Sequence, residues 1–97
     1  MRIKVSIITV CLNAENTIRR TIESVLSQSY QNFELIIVDG CSLDNTVSIV
    51  REYISDNRIC LISEPDQGLY DAMNKGIMFS TGDIIGILNS DDFYSSK

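Results

Sequence analysis

The chain has no histidine, one proline and three cysteines among its 97 residues, and each shortage removes a class of function. Without histidine, the commonest general base near neutral pH and the commonest metal ligand are both missing, so any chemistry has to use carboxylates. Cys11, Cys41 and Cys60 are odd in number and contain no close pair, which argues against a disulfide framework and against a zinc site. A reducing, cytosolic setting fits that usage. No run reaches the ~18 uninterrupted apolar residues that a membrane span needs. At the N-terminus Arg2 and Lys4 are basic, but Ser6 and Thr9 interrupt the apolar run and no small-residue cleavage site follows, so the segment reads as a first strand and not as a signal peptide. The G-x-G-x-x-G fingerprint is absent after that strand, and so is a lysine-bearing phosphate loop, which disfavours a dinucleotide-binding domain and a P-loop nucleotidase. A phosphoacceptor domain would want an acid pair after the first strand, where Cys11, Leu12 and Asn13 stand.

Positive charge is scarce as well. Eight Lys and Arg face 13 Asp and Glu, for a net charge of -5. Binding to a nucleic-acid backbone depends on cationic side chains neutralising phosphates, so the charge argues against nucleic acid as a partner, and an anionic ligand needs a cation in between.

What is present is a soluble globular composition, 44% hydrophobic and 22% charged, outside the range of disordered chains. The length allows one domain, residues 1–97, and a chain of this size buries only about 60 to 65% of its unfolded surface. The first apolar run, Ile3 to Val10, is followed by Asn13 as a helix N-cap and by Ala14, Ile18, Ile22, Val25 and Leu26 at helical spacing. Polar residues 27–32 break the pattern, and Phe33 to Val38 forms a second run rich in β-branched residues, with Gly40 marking the turn after it. Asp44 or Ser42 caps a second helix with Val47, Val50, Tyr53 and Ile54 on one face, ended by Asp56 and Asn57. Ile59 to Ile62 is a short third strand. A loop over 63–68 leads to a third helix whose inward side is Leu69, Ala72, Met73, Gly76 and Ile77, with Gly82 as its C-terminal stop. A fourth strand follows over Ile84 to Leu88. Tyr30, Tyr53 and Phe33 read as packing residues, Lys75 as a solvated helix residue, and Cys11 and Cys41 as neighbouring buried thiols.

Strands alternating with helices indicate right-handed β-α-β units and an α/β fold with a parallel sheet. The expected order is 3-2-1-4, with three helices and the switch point between strands one and four. With the sequence running only to Lys97, the fourth strand has no later partner and is an exposed edge, of the kind that pairs with other chains. Ligands of such sheets sit beyond the carboxyl ends of the strands, where Asp39 closes the second run and Asn89, Ser90, Asp91 and Asp92 close the fourth. Asp39 is either a cap for the turn at Gly40 or a fixed acceptor for a nucleobase N–H. Asp91 and Asp92 are either a solvated loop with a helix cap or an oxygen-ligand site for Mg²⁺ or Mn²⁺, ions that use one or two carboxylates together with a ligand's phosphates. Two like unit charges ~4 Å apart repel by roughly 4 kcal/mol at an effective dielectric of 20. A bare diphosphate would therefore be rejected unless a divalent ion bridged it, and the same ion would act as a Lewis acid toward a departing diphosphate. Gly68 either exposes backbone N–H groups to a phosphate at a helix start or is a plain loop glycine.

Taken in order, the segments VSIITVCLN, FELIIVDGCSLDNT, DQGLYDAMNKGI and STGDIIGILNSDD resemble the amino-terminal half of a family 2 glycosyltransferase of GT-A, Rossmann-like fold. The third segment is similar to the subgroup that includes capsule and colanic-acid type transferases. The resemblance implies transfer of a sugar from a UDP- or GDP-type donor to a polysaccharide or glycan acceptor, usually with inversion and with Mn²⁺ or Mg²⁺. It implies that Asp39 holds the nucleobase, that Val10 to Leu12 line the base and ribose pocket, that Asp91 lies near the donor ribose and that Asp92 is the leading metal ligand. Asn89 stands where the family often has Asp, Leu12 where an aromatic often stacks on the base, and Met73 where an Arg is common. The family's acceptor site and its general base, an Asp or Glu, belong to the second half of the domain; the base is expected beyond Lys97, and no catalytic residue is assigned within residues 1–97. These residues are thus expected to be a nucleotide-sugar-binding half that does not catalyse transfer alone, cytoplasmic or peripheral at the cytoplasmic face of a membrane. The rival expectation is a non-catalytic nucleotide-binding or self-associating α/β module that forms a homo-oligomer through its bare sheet edge.

Overall fold

The computed structural model of the chain describes residues 2–65 and 68–89. Four strands, β1 (Val5–Cys11), β2 (Phe33–Asp39), β3 (Ile59–Ser63) and β4 (Ile84–Asn89), alternate with three helices, α1 (Ile18–Leu26), α2 (Thr46–Arg51) and α3 (Leu69–Phe79). The strands form one sheet in the order β3-β2-β1-β4, and all three pairings are parallel. This is the α/β architecture and strand order that the apolar runs led us to expect.

The two faces of the sheet follow from the crossover rule. Moving from β1 through β2 to β3 steps the chain in one direction, so right-handed connections put α1 and α2 on one face. The return step from β3 past β1 to β4 reverses direction, and the same handedness puts α3 on the other face. Alternation along each strand divides the core accordingly. Cys11, Leu35, Ile37 and Phe33 pack with Ile18, Ile22 and Val25 of α1 and Val50 of α2. Ile8, Val10, Ile36 and Val38 pack with Ala72 of α3. β1 and β2 are covered on both faces, which is why they read as nearly continuous apolar runs.

Several local expectations are corrected. Asn13 does not cap α1. It adopts a left-handed conformation, φ 53°, and its side chain accepts a hydrogen bond from the Leu43 amide at 2.8 Å, while α1 starts later, at Ile18 after Thr17. Gly82 does not cap α3, which ends at Phe79 with Ser80 in an extended conformation. Glycine is needed there for space: a Cβ would stand 2.5 Å from Ser6 Oγ and 2.7 Å from Ser6 N. Ile54 and Ile77, assigned to inward faces, are exposed, as are Tyr30 and Cys41. α2 ends at Arg51, so Ile54 lies past the helix whose face it was assigned to. On α3 the inward positions are Ala72, Met73 and Gly76, whose missing side chain lets the helix sit against Ile8; the side chain of Leu69 lies outside the described residues.

At the amino end of the sheet a polar cluster ties the start of β4 to β1 and β2. Ser6 Oγ donates to Glu34 at 2.6 Å and accepts from the Gly82 amide at 2.8 Å. The Thr81 amide also donates to Glu34, at 2.6 Å. β4 itself is an edge strand among the described residues, and Ile84, Ile85, Ile87 and Leu88 remain 37 to 52% exposed. Both of its faces are therefore apolar and open.

Candidate functional site at the carboxyl ends of the strands

Register brings the candidate residues to one edge. Cys11 pairs with Asp39, Asp39 pairs with Ser63, and Val10 pairs with Asn89. Parallel neighbours lie about 4.8 Å apart, so the last residues of β3, β2, β1 and β4 line up across roughly 15 Å of the sheet. Asp91 and Asp92, the expected ribose and metal positions, lie outside the described residues, two and three positions in sequence after β4 ends. Lys97, past which the general base is expected, lies outside the described residues as well.

Asp39 is the chemical centre of the edge. It is completely buried, a position a carboxylate occupies only when its oxygens are satisfied. One oxygen accepts from the amides of Cys41 at 3.1 Å and Ser42 at 3.0 Å and from the Ser63 hydroxyl at 2.8 Å. The other accepts from the Ser42 hydroxyl, with the Cys11 thiol 3.8 Å away. The two amides show that Asp39 does close the turn at Gly40. Cys41 adopts φ 68° there, a left-handed residue that wraps the loop around the carboxylate.

The loop after β2 is fastened to the loop after β1. Ser42 Oγ, besides donating to Asp39, accepts from the Asn13 amide at 2.8 Å. The Asn45 amide donates to the Glu15 carboxylate at 3.0 Å, and the Glu15 amide donates to Asp44 at 3.2 Å. Buried Thr46 donates its hydroxyl to Asp44 at 2.5 Å and accepts from the Ala14 amide at 2.8 Å. Asp44 also accepts from the Thr46 amide at 2.9 Å, so its expected role at the start of α2 is present, extended across to the other loop. Burial alone would raise the Asp44 pKa, but the hydrogen bonds from Thr46 and Glu15 outweigh it and hold the carboxyl below its usual range.

The remaining candidates sit around this unit. Val10 is fully buried in the core on the α3 face, so its side chain belongs to the packing, whereas Leu12, just past the strand, is half-buried. Gly68 precedes α3 with φ 112°, a conformation that favours glycine, and its carbonyl accepts from the Ala72 amide at 3.1 Å. Lys75 is not a plain solvated residue. Its ammonium donates to the Pro65 carbonyl at 2.5 Å and pairs with Glu64 at 3.3 Å and Asp71 at 3.4 Å, pinning the segment after β3 onto α3. Desolvation acts to lower the Lys75 pKa, but the two carboxylates outweigh it and the net shift is upward.

Ser42, Ser63 and Glu15, which belong to the hydrogen-bond network of this edge, were not picked out as site residues by sequence reasoning. For Ser63 a signal was available, because it closes the run Ile59 to Ile62 just as Asp39 closes its own. Among the described residues no group of three or more His, Cys, Asp or Glu side chains could hold a metal ion, and no helix is long and apolar enough to cross a membrane.

Comparison with known proteins gives concordant results. The model of glycosyl transferase family 2 matches residues 6–97. The Escherichia coli UDP-Glc:alpha-D-GlcNAc-diphosphoundecaprenol beta-1,3-glucosyltransferase WfgD is 44% identical over 91 residues, covering 93% of this chain and 36% of its own. Among solved structures, a mannosyltransferase from Pyrobaculum calidifontis in complex with GDP-Man and Mn²⁺ superposes with a TM-score of 0.85 at 26% identity, over 93% of this chain and 28% of that one. TarS from S. aureus in complex with UDP-GlcNAc gives a TM-score of 0.83 at 25% identity, over 90% and 26%. The chain spans about a third of the length of the curated relatives it matches.

Proposed function

The chain belongs to glycosyl transferase family 2, and from that premise we propose that it forms the donor-binding half of a GT-A enzyme that moves a sugar from a UDP- or GDP-type donor to a glycan acceptor, with inversion. The observation that carries the reading is the common edge. Parallel register ends β1, β2, β3 and β4 side by side, with a buried carboxylate at its centre and the acid pair Asp91 and Asp92 following β4 in sequence.

In this reading Asp39 accepts an N–H from the nucleobase, the segment Val10 to Leu12 borders the base and ribose, and Gly68 approaches the diphosphate at the start of α3. Asp91 serves the ribose, and Asp92 with Asp91 holds Mn²⁺ or Mg²⁺. The donor set suits such an ion, because hard divalent cations take carboxylate oxygen, and the chain contains no histidine to offer instead. When bound, the ion supplies charge neutralisation for the departing nucleoside diphosphate. The chain's own residues bind and orient the donor. The general base and the acceptor site fall to parts of the enzyme beyond Lys97, so residues 1–97 alone do not turn over: a general base typically contributes about 10² to 10⁴-fold, and orientation of the acceptor is lost with it. The odd number and wide spacing of Cys11, Cys41 and Cys60 suit a reducing compartment, and in this reading the chain works in the cytoplasm, free or peripheral at the membrane's cytoplasmic face.

Calorimetry with UDP and GDP, with and without Mn²⁺, tests the proposal on the folded polypeptide that carries this chain. Metal-dependent binding of one of the two is expected, and its absence contradicts the reading. One observation favours a second property, self-association. Among the described residues β4 is an edge strand, with no charged residue between Ile84 and Asn89 and four apolar side chains 37 to 52% exposed, which is the pattern that pairs edge to edge. Sedimentation would show a dimer indifferent to nucleotide and abolished by Ile87→Lys; a strictly monomeric chain excludes it.

A further inference from the structure

Asp39 has no accepting capacity to spare. A carboxylate offers about four lone-pair sites, and two backbone amides, two hydroxyls and a nearby thiol surround this one. If it is to take an N–H from a base, one donor has to leave. The amides of Cys41 and Ser42 are fixed by the turn. The Ser42 hydroxyl is held from its other side by the Asn13 amide, and the Cys11 thiol is fully buried. Ser63 differs from all of these. It is the exposed last residue of β3, it reaches Asp39 through a single-bonded hydroxyl at 2.8 Å, and one χ1 rotation withdraws it.

We infer that Ser63 is a removable cover over Asp39 and a base-selecting residue, which gives way to a ring N–H and then donates its own hydroxyl to the carbonyl beside it. This rests on the reading of Asp39 as the nucleobase acceptor. The pair then presents a carboxylate acceptor next to a hydroxyl donor, complementary to a lactam edge, a ring N–H adjacent to an exocyclic C=O. Uracil and guanine share that edge. Cytosine and adenine present a ring nitrogen lone pair at the position where the lactam carries hydrogen, so the carboxylate meets a second acceptor and the pairing fails. A single device thereby admits both donor types named above and rejects the other two.

The experiment is calorimetry on the full polypeptide carrying this chain, in Mn²⁺, with UDP, GDP, CDP and ADP, for the wild type and for Ser63→Ala, Ser63→Thr and Asp39→Asn. Asp39→Asn is checked for a native circular dichroism spectrum. The wild type is expected to prefer its lactam nucleotide over CDP by 10-fold or more. Ser63→Ala reduces that preference by about 3 to 10-fold, the size of one neutral hydrogen bond, and Ser63→Thr restores it because the hydroxyl returns. A role confined to structure changes affinity for all four nucleotides by the same factor and leaves the ratios unmoved, which overturns the inference about Ser63. If Asp39→Asn folds and leaves the UDP to CDP and GDP to CDP ratios unchanged, the assignment of Asp39 fails first, and the inference about Ser63 falls with it. If Asp39→Asn removes the preference while Ser63→Ala keeps it, only the inference about Ser63 is overturned.

Discussion

Replacing Ser42 by alanine should destabilise the chain out of proportion to the size of the change. Its hydroxyl is the joint between two loops, donating to the buried Asp39 carboxylate and accepting from the Asn13 amide at 2.8 Å. A hydrogen bond to a charged group contributes roughly 1.5 to 3 kcal/mol and a neutral one about 0.5 to 1.5 kcal/mol. Removing both partners at once leaves an amide without its acceptor and a buried carboxylate short of a donor, so the expected loss is about 2 to 4 kcal/mol. Against a total stability of roughly 5 to 15 kcal/mol for a domain that is a large share, equivalent to a fall in Tm of about 10 to 25 °C at this size. Urea unfolding should show a lower midpoint with an unchanged slope, because the surface exposed on unfolding does not alter. Ser24→Ala is the matched control. Ser24 is exposed and its hydroxyl donates to the Thr21 carbonyl one turn back, so its replacement should stay within about 0.5 kcal/mol. If Ser42→Ala costs no more than Ser24→Ala, the two loops are not joined through this hydroxyl and the description of the edge as one rigid unit is wrong.

Thr9→Val should raise stability by about 1 kcal/mol, since the Thr9 hydroxyl is buried without a hydrogen-bond partner among the described residues and valine keeps the shape without the desolvation cost; thermal melting reads the sign. Gly82→Ala should lower stability by about 1 to 3 kcal/mol through overpacking, as its Cβ would collide with Ser6 backbone and hydroxyl, and Gly86→Ala, where a Cβ meets nothing within 4 Å, is the comparison for the same denaturation assay. On acidification the folded state should weaken in a defined direction. Asp44 is held below its usual pKa, burial being outweighed by the Thr46 and Glu15 hydrogen bonds, and Glu34 likewise by Ser6, Thr81 and Lys4. A carboxyl lowered on folding contributes stability above its unfolded pKa, near 4 for these side chains, and loses it as pH falls through the folded value. Urea midpoints should therefore be flat from pH 7 to about 5 and drop below about 4, with a smaller drop in Asp44→Asn; a pH-independent midpoint down to about 3 contradicts the network.

The sheet was legible because buried parallel strands leave nearly unbroken apolar runs, and once the fourth strand is placed beside the first, the crossover rule assigns each helix to its face. Asp39 was legible for the same reason, as the first acid after such a run. The loops were not. Asn13 looks like an N-cap by local rules, but its partners are Ser42 and Leu43, residues about thirty positions away that no local pattern connects to it. Gly82 follows a helix as a stop signal would, yet the cause of the glycine is the approach of Ser6 from the first strand. Lys75 has the spacing of a solvated helix residue, while its partners Glu64 and Pro65 come from the preceding connection. For Asn13 and Gly82 the origin is a contact distant in sequence that outweighs local preference. Ser63 was overlooked because serine is common in loops, although it closes its apolar run as Asp39 does and stands in register with it.

The central claim is that the carboxyl ends of these strands make one nucleotide site, with the base at Asp39 and the cation at the acids following β4. A crystal of the polypeptide carrying this chain, grown with UDP or GDP and Mn²⁺ and measured for manganese anomalous scattering, tests it most directly. The account predicts a manganese peak in coordination contact with Asp92 and a base whose ring N–H faces the Asp39 carboxylate. A nucleotide bound elsewhere, or a manganese peak remote from both acids with Asp39 still closed by Ser63, would contradict it.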